Sequence, residues 1–335
     1  MKIELMEIGA DTPGQSNVIR VLTYGASGAG SSVYIQAALH AQEIPGVVAI
    51  DALLPKLEAA EQQGKLKGKI TLVPHANPLG LAQSVFATNL GRFDMNSRTN
   101  FNRAFPKLDG PTPDVAAKSV VEKLKVTLLG LAVEADVVLD LHCDDEGPVY
   151  LYAPEPMLAN ARLLSSALDA STILTYASEG GGTFDEAVYF HWLRATGGMI
   201  PAKKLVSTVE LRGILDVSDT FAETDANNLY RYLAAVGAID DASQNLSSRE
   251  PIVSDEALAE LIPTPVSGAV LYRVEVGDKV RAGQCVARIV SEAGMPHHQI
   301  LAPADGTVIT RRERRFLRKG EDVLKILKLA KAAVP

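Results

Sequence analysis

SSVYIQAALHAQEIPGVVAIDALLPKLEAAEQQ, residues 31–63, holds the transition on which the fold turns. SSVYIQAAL (31–39) reads as a strand, rich in aliphatic, aromatic and β-branched residues. Pro45 then opens a helical pattern that runs to Gln63. It suits a first helical position, where a missing N–H costs nothing, and it pushes Ile44 toward an extended backbone. His40 and Glu43 are therefore expected in the strand-to-helix turn and not on a helix face.

The same alternation recurs on either side. NVIRVLTYG (17–25), GKITLVP (68–74), ADVVLDL (135–141), STILTY (171–176) and KLVSTVEL (204–211) read as strands. Residues 113–134, a stretch near 155–169 and another near 221–239 read as helices. This order predicts an α/β domain whose largely parallel or mixed sheet is covered by helices. Thr183 with Glu186, and Thr220 with Glu223, have the spacing of capping boxes that would open helices at 184 and 221. GASGAGSS (25–32) is glycine-rich like a phosphate loop, but it lacks the lysine and leads into a strand. A hairpin turn is predicted there.

Residues 1–245 thus form a first domain, and the polar, proline-bearing stretch 246–256 reads as a linker. From 257 to 335 the pattern is all-β. VSGAVLYRVEVGDKVRAGQCVARIV and QILAPADGTVITRRERRFLRKGEDVLKIL are short strands punctuated by Gly-Asp, Ala-Gly and Asp-Gly turns. The two halves share a G-x-V opening and a closing glycine–acid turn, as a pseudo-symmetric barrel or sandwich would. RRERR (311–315) is read as a solvated face, with steering of anionic substrates as the alternative.

The 335 residues are 47% hydrophobic and 22% charged, with a net charge of −7. An acidic balance argues against nucleic acid or an anionic membrane as the main partner. No apolar run approaches the length of a bilayer span. The N-terminus has no signal-peptide pattern, and two cysteines cannot make a disulfide framework, so a cytoplasmic protein is expected. A homo-oligomer stays open.

Ligands in open α/β sheets bind beyond the carboxyl ends of the strands. One strand end runs into His40 and Glu43, a second into His142, and a third into Glu210. Two histidines and a glutamate form a recognised catalytic zinc set with the fourth position left for water, so one zinc per chain is expected. The connection 75–112 is long enough to suggest a functional loop.

HAQE (40–43), NPLG (77–80), NFNRAFP (100–106), DLH (140–142) and STVELRG (207–213) together resemble the succinylglutamate desuccinylase/aspartoacylase family of the zinc carboxypeptidase superfamily. The resemblance implies a zinc-carboxypeptidase-like mixed sheet flanked by helices, with a small C-terminal β domain. It implies zinc ligands His40, Glu43 and His142, a general acid/base Glu210, and substrate-carboxylate contacts from Asn102 and Arg103. It also implies an arginine that polarises the scissile carbonyl, for which Arg92 is favoured over Arg98. The implied reaction is hydrolysis of an N-acyl amino acid or similar small amide. The competing readings are a metallocarboxypeptidase acting on peptides and a non-catalytic metal-binding or carrier protein.

Bland roles are expected for several neighbours. Glu186 is read as a helix cap, His75 as a loop or supporting residue, and Cys143 as an inert, partly buried thiol. The C-terminal module resembles biotinyl/lipoyl carrier domains, but its hairpin tip SEAGMPHHQ (291–299) has no lysine to modify.

Overall fold

Runs of aliphatic and β-branched residues assemble into one large sheet in this computed structural model, which describes residues 1–108 and 117–329. The first strands are β1 (Lys2–Gly9), β2 (Asn17–Tyr24), β3 (Val33–Ala37), β4 (Ile70–Val73), β5 (Ser84–Val85) and β6 (Thr88–Asn89). They are followed by β7 (Val137–Asp144), β8 (Val149–Pro154), β9 (Thr172–Tyr176), β10 (Leu205–Gly213) and β11 (Ile252–Asp255). All but the small β5–β6 pair join a nine-stranded sheet in the order β1-β2-β4-β3-β7-β10-β8-β9-β11. β4, β3, β7 and β10 run parallel, while β2 and β8 lie antiparallel to their central neighbours. β3 and β4 are buried at every position, so they read as continuous apolar runs without alternation.

The helices are α1 (Pro45–Gln62), α2 (Pro78–Leu81), α3 (Val120–Val133), α4 (Leu158–Leu168), α5 (Phe184–Ala195) and α6 (Asp219–Ala235). α6 packs on α1 and α4, and α3 packs on α5, so helices flank the mixed sheet as predicted. Among the described residues no helix is long and apolar enough to cross a membrane. The first four residues of the predicted helix 113–134 lie outside the described residues.

Several local expectations are corrected. GASGAGSS is not a hairpin turn, because β4 sits between β2 and β3 in the sheet. The segment is a crossover, and its glycines permit backbone-to-backbone packing. A Cβ on Gly30 would lie 2.4 Å from the Gly237 carbonyl oxygen. Ile44 is helical (φ −90, ψ −9) and not extended, because its carbonyl already accepts from Val47 at 2.9 Å. α6 starts two residues earlier than expected, capped by Ser218 on the Phe221 N–H, and Glu223 pairs with Lys56 instead of closing a box. The Thr183–Glu186 box does form. β1 and β8 were not anticipated, and β11, inside the stretch read as linker, extends the sheet parallel to β9.

The C-terminal strands are β12 (Ala259–Pro263), β13 (Gly268–Tyr272), β14 (Lys279–Val280), β15 (Cys285–Val290), β16 (His298–Leu301), β17 (Gly306–Arg311), β18 (Phe316–Leu317) and β19 (Asp322–Lys328). They form two four-stranded sheets, β12-β19-β17-β14 and β16-β15-β13-β18, around their own core. The repeat seen in the sequence is structural. A Cβ on Gly268 or on Gly306 would each lie 2.4 Å from a carbonyl oxygen of the neighbouring strand, Val290 in one half and Leu327 in the other.

RRERR is not a solvated face. Arg311 and Glu146 exchange backbone hydrogen bonds of 3.0 and 3.1 Å. Arg311 and Arg315 also pair with the Glu146 carboxylate, and Arg312 reaches Asp145 at 3.2 Å. The run Asp144-Asp145-Glu146 after the metal-edge strand supplies the countercharge that draws these arginines in. Tyr150 and Leu174 of the large sheet share an apolar cluster with Ile309 and Leu327 of the module.

Candidate metal centre and active site

Three parallel strands deliver the site. β3 ends at Ala37, Ala38 turns the chain with a positive φ of 56, and Glu43 N–H closes the turn on the His40 carbonyl at 2.9 Å. Gly46 lets α1 sit directly on the sheet, since a Cβ there would lie 2.7 Å from Leu141 Cβ and 2.9 Å from Ala37 Cβ. That contact holds the turn against the end of β7, which carries His142. β10 runs in register beside β7, so Glu210 is the cross-strand partner of His142.

The ligand-competent atoms of His40, Glu43 and His142 lie within 4.8 Å of one another, and all three residues are buried. Glu43 Oε1 is 3.0 Å from His40 Nδ1, and Oε2 is 2.8 Å from His142 Nδ1. The far nitrogen of each ring is also held. His40 Nε2 meets Asn100 Oδ1 at 2.9 Å, and His142 Nε2 meets Asp140 Oδ2 at 2.9 Å. Asp140 lies two residues before His142 and so shares its face of the strand. Behind it Gln36 donates to Asp140 at 2.9 Å, and Tyr34 donates to Gln36 at 2.8 Å. Such outer partners orient a metal-binding ring and select its tautomer. Neither Asp140 nor this buried chain was anticipated; the D-L-H spacing was its only sequence signal.

Burial alone would raise the Glu43 carboxyl, yet the two imidazoles hold it below the usual carboxylate range. Burial lowers His40, whereas at His142 it is overcome by the carboxylates of Asp140 and Glu43, which push that ring well up. Arg92 Nη1 donates to Glu43 Oε1 at 2.8 Å and lies 3.3 Å from His40 Nδ1. Arg98 is exposed and makes no such contact. Two imidazole nitrogens and one carboxylate, each fixed from behind, match the donor set of a catalytic zinc.

Glu210 is of another kind. Its Oε2 is buried without a hydrogen-bond partner among the described residues. Burial, then the charge of Asp144, pushes its carboxyl up to about 8. Next to it stands a residue the sequence did not mark. Lys325, on β19, reaches out of the C-terminal module to Asp144 at 3.2 Å and to the Tyr150 and Tyr152 hydroxyls at 2.9 and 3.4 Å. Tyr150 is the cross-strand partner of Glu210 on its other side and also donates to Asp144.

The long connection folds over this edge. Asn77 donates to the Leu39 carbonyl at 2.8 Å, and Ala41 donates to Gly91 at 3.0 Å. Asn102 is buried. Its Oδ1 accepts from Phe184 N–H at 2.8 Å, while Nδ2 lies 3.5 Å from His142 Nε2. Arg103 is exposed, donates to the Asn102 carbonyl at 2.7 Å, and packs on Gly181. Lys125, also unmarked by the sequence, is buried below and donates to the carbonyls of Arg103 and Asn100 at 2.6 and 3.3 Å. Burial lowers its ammonium to about 8. Among the bland readings, Glu186 caps α5, His75 is exposed, and burial raises the Cys143 thiol.

Comparison with known proteins places the chain among relatives of one family. The family described as the succinylglutamate desuccinylase/aspartoacylase catalytic domain matches residues 29–235. The N-alpha-acetyl-L-2,4-diaminobutyric acid deacetylase of Halomonas elongata is 22% identical over 338 residues, covering 98% of this chain and 91% of that protein. A family protein from Shewanella amazonensis superposes with a TM-score of 0.85 at 24% identity, covering 98% of both chains. The ectoine utilization protein EutE (DoeB) of Ruegeria pomeroyi, in its product-bound form, superposes with a TM-score of 0.75 at 18% identity, over 98% of this chain and 95% of that one.

Proposed function

We propose, from the premise that this chain belongs to the succinylglutamate desuccinylase/aspartoacylase family, that it is a zinc-dependent deacylase hydrolysing the amide bond of an N-acyl amino acid or a similar small carboxylate-bearing amide. One observation carries the reading. A buried carboxylate oxygen on Glu210, without a hydrogen-bond partner among the described residues, stands in register beside His142 at the edge where three metal-competent atoms converge.

His40, Glu43 and His142 would hold the zinc, with Asn100 and Asp140 keeping both rings in place. Zinc there would supply Lewis acidity that makes water nucleophilic at about pH 7. Glu210 takes the proton from the attacking water and passes it to the departing amine. A carboxyl pushed up to about 8 is matched to accept and return a proton near neutrality. Arg92, already drawn to Glu43, offers guanidinium donors to the oxygen of the scissile carbonyl as charge develops on it. Arg103 presents a planar fork suited to the substrate carboxylate. Asn102, its Oδ1 committed to Phe184, has Nδ2 for the same task.

The Halomonas elongata relative is named for removing acetyl from an amino acid, which supports acetylated amino acids as the first class to try. Lys325 of the C-terminal module, seated on Asp144, Tyr150 and Tyr152 beside Glu210, supports a small amide over a peptide. Two free cysteines support a reducing compartment such as the cytoplasm.

The test is a panel of N-acetyl, N-succinyl and N-formyl amino acids with zinc-replete protein and its Glu210→Gln variant. Release of carboxylate and free amine is expected from the wild type. The variant should keep its zinc and lose at least about a hundredfold in kcat. A variant that loses zinc would place Glu210 in the metal shell, and an active variant would place the base elsewhere.

A further inference from the structure

A cavity of about 650 Å³ opens on the C-terminal module, away from the ligand cluster in sequence and in lining. Its floor is the outer face of the β16-β15-β13-β18 sheet, where Leu271 and Arg288 are cross-strand partners. Its wall is the segment joining β17 to β18. There the guanidiniums of Arg311 and Arg315 stand over the Tyr272 ring, 4.8 and 5.0 Å from its centre.

The lining holds four arginines and one glutamate, Glu275. Glu275 pairs with Arg311 at 2.8 Å, and Glu146 at the edge serves Arg311 and Arg315 together. Four positive and two negative charges leave two positive charges uncompensated. Arg273 and Arg288 carry them, and Arg288 Nε is buried without a hydrogen-bond partner among the described residues. That Nε lies out of a ligand's reach, which leaves the terminal guanidinium nitrogens of Arg288 to meet one. Guanidinium forks match two oxygens of one planar or tetrahedral oxyanion.

We infer that this cavity binds a small doubly charged oxyanion, a phosphate or a dicarboxylate, through Arg273 and Arg288. The ligand neutralises the two spare charges. It lies beside the arginines that clamp Glu146, in the loop that leaves His142.

Calorimetric titration of the zinc-replete full chain with inorganic phosphate, and separately with succinate, at constant ionic strength in chloride, tests the inference. Saturable binding of one of the two dianions at one site per chain is expected, and the one that binds identifies the source. The Arg273→Gln, Arg288→Gln double variant should weaken it by at least about tenfold. Arg103→Gln, at the other site, should leave it in place. Glu275→Gln should tighten it by removing the competing carboxylate. Glu275 is 78% exposed, and tighter binding is an effect that misfolding cannot imitate. No saturable binding of either dianion overturns the inference. So does binding that survives the double arginine variant, or that Arg103→Gln abolishes.

Discussion

Replacing Lys325 with methionine separates the module's contribution to stability from its contribution to the site. The side chain keeps its length and loses its charge. Lys325 is 11% exposed and Asp144 24%, and the pair is 3.2 Å apart with a further 2.9 Å bond to Tyr150. Breaking a fully buried pair costs about 3–5 kcal/mol, because the partner charge is stranded. Asp144 keeps the Tyr150 hydroxyl and some access to water, which puts the loss at the lower end, about 3 kcal/mol. Asp144→Asn in the Lys325→Met background should then cost little more, since the stranded charge is gone. Urea unfolding of the wild type, both single variants and the double variant gives the coupling, expected at about 1–3 kcal/mol. The same proteins should bind zinc normally and change kcat more than KM, because Tyr150, which flanks Glu210, loses one of its two hydrogen-bond partners. A coupling near zero, or a Lys325→Met protein as stable and as active as the wild type, would refute the argument.

Three further outcomes are expected. Metal analysis should find about one zinc per chain, sharply reduced in His142→Ala; full occupancy after losing both His40 and His142 would end the assignment. Arg103→Leu should cut kcat/KM for free-carboxylate substrates far more than for the corresponding carboxamides, whereas equal losses would make Arg103 structural. Lys125 has a folded pKa of about 8, below its ordinary 10.5, so its buried charge is a liability at pH 7 that fades as pH rises from about 8 toward 10.5. Relative to Lys125→Met, the wild type should therefore gain about 2 kcal/mol of unfolding free energy between pH 7 and pH 9.5, measured in urea. A flat difference would show that this lysine is hydrated in the folded protein.

Much of the architecture was legible because it is written in short-range patterns. The apolar runs at 31–39 and 68–74 are strands buried on both faces. The glycine–acid turns after 257 mark two matched halves whose opening glycines, Gly268 and Gly306, meet the same obstacle. His40, Glu43, His142 and Glu210 could be gathered from sequence since each lies at or just beyond the carboxyl end of a strand, and parallel strands bring those ends to one edge.

Other features depend on which distant segment lies alongside, and a local pattern does not carry that information. GASGAGSS suits a hairpin equally well as a crossover until β4 is seen between its flanking strands. The stretch 252–255 is polar enough to pass for linker, yet β9 presents an unpaired edge that its backbone satisfies. RRERR reads as solvated until Asp145 and Glu146 arrive from more than 150 residues away. The pairing of Arg92 with Glu43, the anchoring by Lys125, and the reach of Lys325 to Asp144 depend on the same kind of long-range proximity. The sequence by itself determined which elements form and which residues end them, because backbone sterics and hydrophobic periodicity act over a few residues. Only the tertiary structure decided which charges are paired, because pairing is set by where burial brings remote segments together.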